Sequence, residues 1–130
     1  MTRGRFRSLV SEAIDSIPAR FASAMSNIAI VVEDVAPPEL LAEMEMEPDD
    51  ELFGLYQGTP LPERTWGYGN TLPDRITLFQ QTIEDACEGD EDCIVMEIGD
   101  TLIHELGHYF GMSEDEIMEI EERYWRGESA

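Results

Sequence analysis

The chain has 130 residues, 42% of them hydrophobic and 8% aromatic, which suits one small domain, residues 1–130, with a single core. Its 29 acidic residues against 8 basic ones give a net charge of −21, so nucleic acids and anionic membrane surfaces are excluded as natural partners. All eight basic residues are arginine, which also removes any lysine nucleophile or Schiff base.

The first segment, MTRGRFRSLVSEAIDSIPARF, lacks an unbroken apolar h-region and a small-residue cleavage site. No stretch reaches the ~20 apolar residues of a membrane span. A cytoplasmic protein is therefore expected. Residues 6–17 set Phe6, Leu9, Val10, Ala13, Ile14 and Ile17 on one helical stripe, which Pro18 ends. SNIAIVVEDV then alternates Ile28, Ile30 and Val32 with smaller or polar neighbours, the period of a strand. Pro37 and Pro38 stop it, and PELLAEM suits one or two helical turns before a charged connector over residues 43–51.

LFGLYQG, residues 52–58, reads as a second strand, and residues 59–74, rich in Pro, Gly and polar side chains, as a long loop of the kind found beside binding surfaces. RITLFQ, residues 75–80, reads as a third strand, followed by a helix over residues 81–88. Cys87 and Cys93 enclose EGDED, a gap that fits no usual zinc-knuckle spacing. In a cytosolic protein the pair is expected to be reduced, two small thiols packing between helices, with a local disulfide as the alternative.

A strong helix begins near Asp92, with Ile94, Ile98, Leu102 and Leu106 on one apolar stripe. Gly111 stands where a helix takes its left-handed stop. Ser113 and Glu116 then form an S-x-x-E capping box for a last helix over residues 114–126. The layout is α+β.

The only two histidines of the chain lie in the long helix, in HELGH. On a helix, His104 and His108 fall about 40° apart in angle and about 5.4 Å apart along the axis. Both imidazoles can then reach one Zn²⁺ at about 2.0–2.1 Å. Glu105 lies on the same side, placed to touch a water on the metal. Gly111 lets the chain reverse, so that Glu114 meets the metal as third ligand; spacing favours it over Asp115.

With these blocks in hand, LFGLYQGTPLPER, LPDRITLFQ and TLIHELGHYFGMSEDEI resemble the small zincin-like metallopeptidases, a bacterial family with a minimal zincin fold. The resemblance spans residues 6–120 and implies a small mixed sheet packed against the HExxH helix and additional helices. It also implies His104 and His108 as zinc ligands, Glu105 as the catalytic acid and Gly111 as the turn. The family commonly carries Asp where this chain has Glu114.

The expected activity is zinc-dependent hydrolysis of a peptide or protein substrate by a metal-activated water, with Glu105 as general base. The competing readings are a non-catalytic zinc-binding module and an acidic protein-interaction adapter on the same scaffold. Glu97 and Thr101, two turns and one turn before His104, are candidates to hydrogen-bond the ligating imidazoles. Tyr68, Tyr109, Tyr124 and Arg75 are conceivable donors to the developing oxyanion, although core or surface packing is the more ordinary role for each. The acidic surroundings favour protonated histidine, so metal loss is expected at mildly acidic pH. The sequence names neither the substrate nor the oligomeric state.

Overall fold

The computed structural model describes residues 1–47, 50–58 and 74–128. Helix α1 (Arg3–Ser16) starts three residues earlier than its apolar stripe, because the Thr2 side chain accepts the Arg5 N–H and caps the extra turn. A short helix α2 (Ala19–Ala24), with Pro18 at its N-cap, follows directly, so Pro18 opens a second helix as well as closing the first. Next come strand β1 (Ala29–Glu33), helix α3 (Pro38–Glu43) and strands β2 (Gly54–Gln57) and β3 (Arg75–Phe79). Helices α4 (Gln80–Ala86), α5 (Glu91–Phe110) and α6 (Glu114–Trp125) complete the order. Most of the expected long loop, residues 59–73, lies outside the described residues.

The three strands form one mixed sheet in the order β1-β3-β2, with β1 parallel and β2 antiparallel to β3. The central strand is the most apolar: Ile76, Leu78 and Phe79 are buried, whereas β1 buries only Val32. Phe6, Leu9, Val10 and Ala13 of α1 meet Ile94, Ile98, Leu102 and Leu106 of α5 in one core. That α5 stripe is completely buried, as its spacing requires. No described helix is long and apolar enough to cross a membrane.

Both ends of α5 are closed by local hydrogen bonds. Asp90 accepts the N–H groups of Asp92 and Cys93 at its start. At its end Gly111 takes φ 76°, and the N–H groups of Gly111 and Met112 return to the carbonyls of His108 and Gly107. This left-handed stop costs glycine no steric strain. Ser113 then opens α6 with the reciprocal capping box to Glu116. Three residues thus separate two long helices, which must run back antiparallel.

The cysteines depart from the expected pair of reduced thiols. Cys87 and Cys93 are joined in a disulfide across a Cα separation of 5.6 Å. The chain reverses between α4 and α5 through Glu88 and Gly89, both at positive φ, and this brings the two residues within bridging distance.

The α5–α6 hairpin closes tightly. Gly107 of α5 lies against Ile117, and Gly99 against the ring and hydroxyl of Tyr124. Tyr124 is buried and its hydroxyl shares a hydrogen bond with Ser16 Oγ, so any Cβ at position 99 would overlap a side chain that has nowhere to go. Gly99→Ala is expected to lower stability by about 1–3 kcal/mol, although alanine is the better helix former by about 1 kcal/mol. Gly4→Ala in open space on α1 serves as the control and should be neutral or slightly stabilising. Urea unfolding of both variants checks this; an unchanged midpoint for Gly99→Ala would contradict the packing.

Candidate metal centre

The tight hairpin puts residues of α5 and α6 face to face in reverse order. Gly107 meets Ile117, His104 meets Glu121, and Asp100 meets Trp125. His104 and His108, one turn apart, turn their rings to the same side, with centroids 4.8 Å apart and planes inclined by 74°. Metal-ligating atoms of His104, Glu105 and His108 lie within 4.8 Å of one another. Both histidines are half-buried, and Glu105 is only 8% exposed.

Each imidazole is met by one carboxylate of α6. Glu114 Oε1 lies 3.1 Å from His108 Nε2, and Glu121 Oε1 lies 3.1 Å from His104 Nδ1. Of the two residues weighed as third ligand, Glu114 reaches a histidine, while Asp115 is an exposed residue in the first turn of α6.

Glu105 is held from the opposite side. The register of β2 on β3 turns the backbone of Phe53 towards Phe79, whose N–H it accepts at 2.9 Å. Alternate residues Gly54 and Tyr56 therefore direct their backbone groups away from the sheet. Tyr56 N–H donates to Glu105 Oε1 at 2.7 Å. A cavity of about 370 Å³ lies beside the contact of this strand with α5 and is lined by Phe53, Leu55, Tyr56, Thr101, His104 and His108, among others. A second cavity of about 500 Å³ opens on the other side of His104, against Met118 and Trp125 of α6.

The electrostatics follow from these contacts. Burial pushes the Glu105 carboxyl up; the Tyr56 N–H and then the two histidines pull it back only in part. The Glu121 hydrogen bond, opposed by burial and helped by the charges of Glu121, Glu105 and Glu114, raises His104 to about 9. Glu121 itself is lowered: the hydrogen bonds from His104 and Asp100 outweigh its own burial. Asp100 is raised to about 7, by burial first and then by its hydrogen bond and charge contact with Glu121.

The partners named from sequence fare unevenly. Thr101 is buried, packs on Gly54 and lines the cavity beside His104. Glu97 lies near Glu51 and is raised by burial and by that charge. The carboxylate that does meet His104 is Glu121, which the sequence reading passed over. Its signal was present: Glu121 lies seven residues, two turns, beyond Glu114 on the same helix face. Among the oxyanion candidates, Tyr124 is buried with its hydroxyl on Ser16. Arg75 bonds Gln57 through Nε. Tyr109 is buried against Tyr56 and Phe110. Tyr68 lies outside the described residues.

The Asp100 shift has a measurable consequence in metal-free protein. A carboxyl whose folded pKa stands above its unfolded value of 3.8 contributes stability that is present below 3.8 and is lost as pH rises through about 7. Asparagine keeps both contacts, accepting from Trp125 Nε1 and donating to Glu121, and does not titrate. Asp100→Asn is therefore expected to raise the thermal midpoint at pH 8.5 by more than it does at pH 5. Equal shifts at both pH values would remove this account of Asp100.

Two comparisons bear on the whole chain. No curated protein matches the sequence. The family profile described as "zincin-like metallopeptidase" matches residues 25–124, which cover β1, the sheet, the HExxH helix and all but the last residue of α6. With the three-stranded mixed sheet and the His104–Glu105–His108 cluster, that match shows that the chain belongs to the zincin-like metallopeptidase family.

Proposed function

We propose that this protein is a zinc-dependent peptidase in which His104, His108 and Glu114 hold the metal and Glu105 handles the proton. The observation that carries the reading is the convergence of His104, Glu105 and His108 within 4.8 Å, with Glu105 buried and anchored by the edge strand. Two imidazoles and a carboxylate are the nitrogen and oxygen donors that Zn²⁺ takes, and three protein ligands leave a position open. Glu114 joins them because it stands at the Nε2 atom of His108, on the side where that ring would meet a metal.

Zinc held there supplies Lewis acidity, polarising the substrate carbonyl and making water a nucleophile near neutral pH. Glu105 accepts the proton of the attacking water on its carboxylate and delivers it to the amine nitrogen as the C–N bond breaks. Its burial raises its affinity for that proton, the direction that suits a general base. The Tyr56 N–H fixes one carboxylate oxygen, so Glu105 does not need to be reoriented during the reaction. The cavity beside β2 and α5 can take an extended peptide, to which the outward backbone groups of Gly54 offer strand-like hydrogen bonds.

The test is metal analysis of the purified protein, paired with cleavage of a broad peptide library. Wild type is expected to retain zinc and to cleave a subset of peptides in a chelator-sensitive way. Glu105→Gln should keep the zinc and lose about 10²–10⁴-fold in rate. Cleavage that survives chelation or Glu105→Gln would sink the proposal. Zinc retention with no cleavage anywhere in the library would favour a non-catalytic zinc module instead.

A further inference from the structure

We infer that Glu121 is a positioning residue for the metal centre: by accepting from His104 Nδ1 it turns His104 Nε2 towards the metal, while Asp100 and Trp125 hold Glu121 in place. This deepens the zinc reading above and rests on it.

The inference comes from which nitrogen each carboxylate meets. An imidazole has two nitrogens on opposite sides of the ring, and a ligating ring uses one of them for the metal and the other as an N–H donor. Glu114 stands at the distal nitrogen of His108, whereas Glu121 stands at the proximal nitrogen of His104. If Glu121 engages Nδ1, the lone pair left on His104 is at Nε2, the same atom that His108 presents to Glu114. The two rings then offer like atoms to one ion. A carboxylate at Nδ1 is on the wrong side of the ring to share that ion. Glu114 and Glu121, alike in charge and helix face, therefore take different roles: one at the metal, one behind a ligand.

Glu121 is itself supported. Its side chain is only 21% exposed, against 71% for Glu114. Asp100 hydrogen-bonds to it, and Trp125 Nε1 donates to Asp100 Oδ1 at 3.0 Å. Asp100 and His104 are four residues apart on α5; Glu121 and Trp125 are four apart on α6. Two one-turn pairs meet across the hairpin and form a continuous path, from Trp125 N–H to Asp100, to Glu121, to His104 Nδ1. Every member has a partner on the facing helix, so the orientation of the His104 ring is tied to the hairpin rather than left to its own rotamer. An ion pair formed for charge alone would be indifferent to which nitrogen it met and would need no such backing.

The test compares Glu121→Ala, Glu121→Gln and Glu122→Ala with wild type in the full chain, using three readouts. Zinc affinity is measured by competition with a chromophoric chelator. Glu121→Ala is expected to weaken it about 10–100-fold. Glu121→Gln, whose amide oxygen still accepts from Nδ1, should recover most of that loss. Glu122→Ala removes the same charge from an exposed neighbour and should stay within about twofold of wild type. In the cobalt-substituted proteins the visible spectrum should keep the wild-type pattern in Glu121→Ala, because the ligand set is unchanged. In the metal-free protein, a protected His104 Nδ1–H resonance in ¹⁵N-edited spectra should be present in wild type and lost in Glu121→Ala.

Unchanged zinc affinity in Glu121→Ala, or equal losses in Glu121→Ala and Glu122→Ala, overturns the positioning role alone. A cobalt spectrum that changes coordination number in Glu121→Ala overturns it in favour of Glu121 as a direct ligand. The absence of the Nδ1–H resonance in metal-free wild type overturns it without reference to any metal. A wild type that binds no zinc takes down the metal reading first and this inference with it.

Discussion

The close antiparallel packing of α5 on α6 is the constraint from which the site follows. It rests on three short-range features: the left-handed stop at Gly111, the capping box of Ser113 and Glu116, and two glycines on α5 that face bulky side chains of α6. Once the helices are locked at that distance, each step back along α5 is matched by a step forward along α6. The carboxylates of α6 then have no freedom in choosing partners. Glu114 must fall near His108 and Glu121 near His104. A looser hairpin would leave both histidines on an open helix face, with their rings oriented by solvent.

This geometry also resolves an electrostatic difficulty. The chain carries 29 acidic residues, and at least four carboxyl groups (Asp100, Glu105, Glu114 and Glu121) surround two histidines. In the metal-free protein the proton on His104 offsets part of that negative charge, which is why the Glu121 hydrogen bond lifts its affinity for a proton to about 9. A divalent cation answers the same field with more charge, and it must displace that proton to do so. On the zinc reading proposed above, acid would oppose metal binding by keeping that proton on His104. The contact that chiefly strengthens the proton's hold is the one with Glu121.

What could be read from the sequence was whatever depends on neighbours along one element, and the three strands stand where alternation and apolar runs put them. The buried α5 stripe, the left-handed stop at Gly111, the capping box and the shared face of His104 and His108 are all local, and each stands where the spacing put it. Helix α2 was hidden because Pro18 reads as a terminator, although the same residue opens a helix with equal ease. The disulfide depended on the reversal through Glu88 and Gly89, and glutamate at positive φ carries no sequence signature. Glu121 was missed for a different reason. Its contact with His104 appears only when two helices are laid against each other, whereas Glu97 and Thr101 stand at suitable intervals along α5 itself. Tyr124, a conceivable oxyanion donor by type, has the packing role that was the more ordinary expectation for it: it is committed to Gly99 and Ser16 in the core.

The hold on Glu105 shows how far the active groups depend on backbone rather than on side-chain choice. A buried carboxylate needs a donor, and here the donor is an N–H of β2, not a hydroxyl or amide side chain. That N–H faces Glu105 only because β2 pairs with β3 in one register; a slip of one residue would turn it into the sheet and flip every side chain of β2 to the other face. The approach of strand to helix is set by Gly54, whose missing side chain leaves room for Thr101. Thr101, whose methyl packs on Gly54, thus contributes shape to the site by setting how closely the edge strand approaches α5. The identity of residue 56 matters little to this bond, since every residue but proline offers the same donor. What the sequence must preserve is the strand register and the small residue two positions before it.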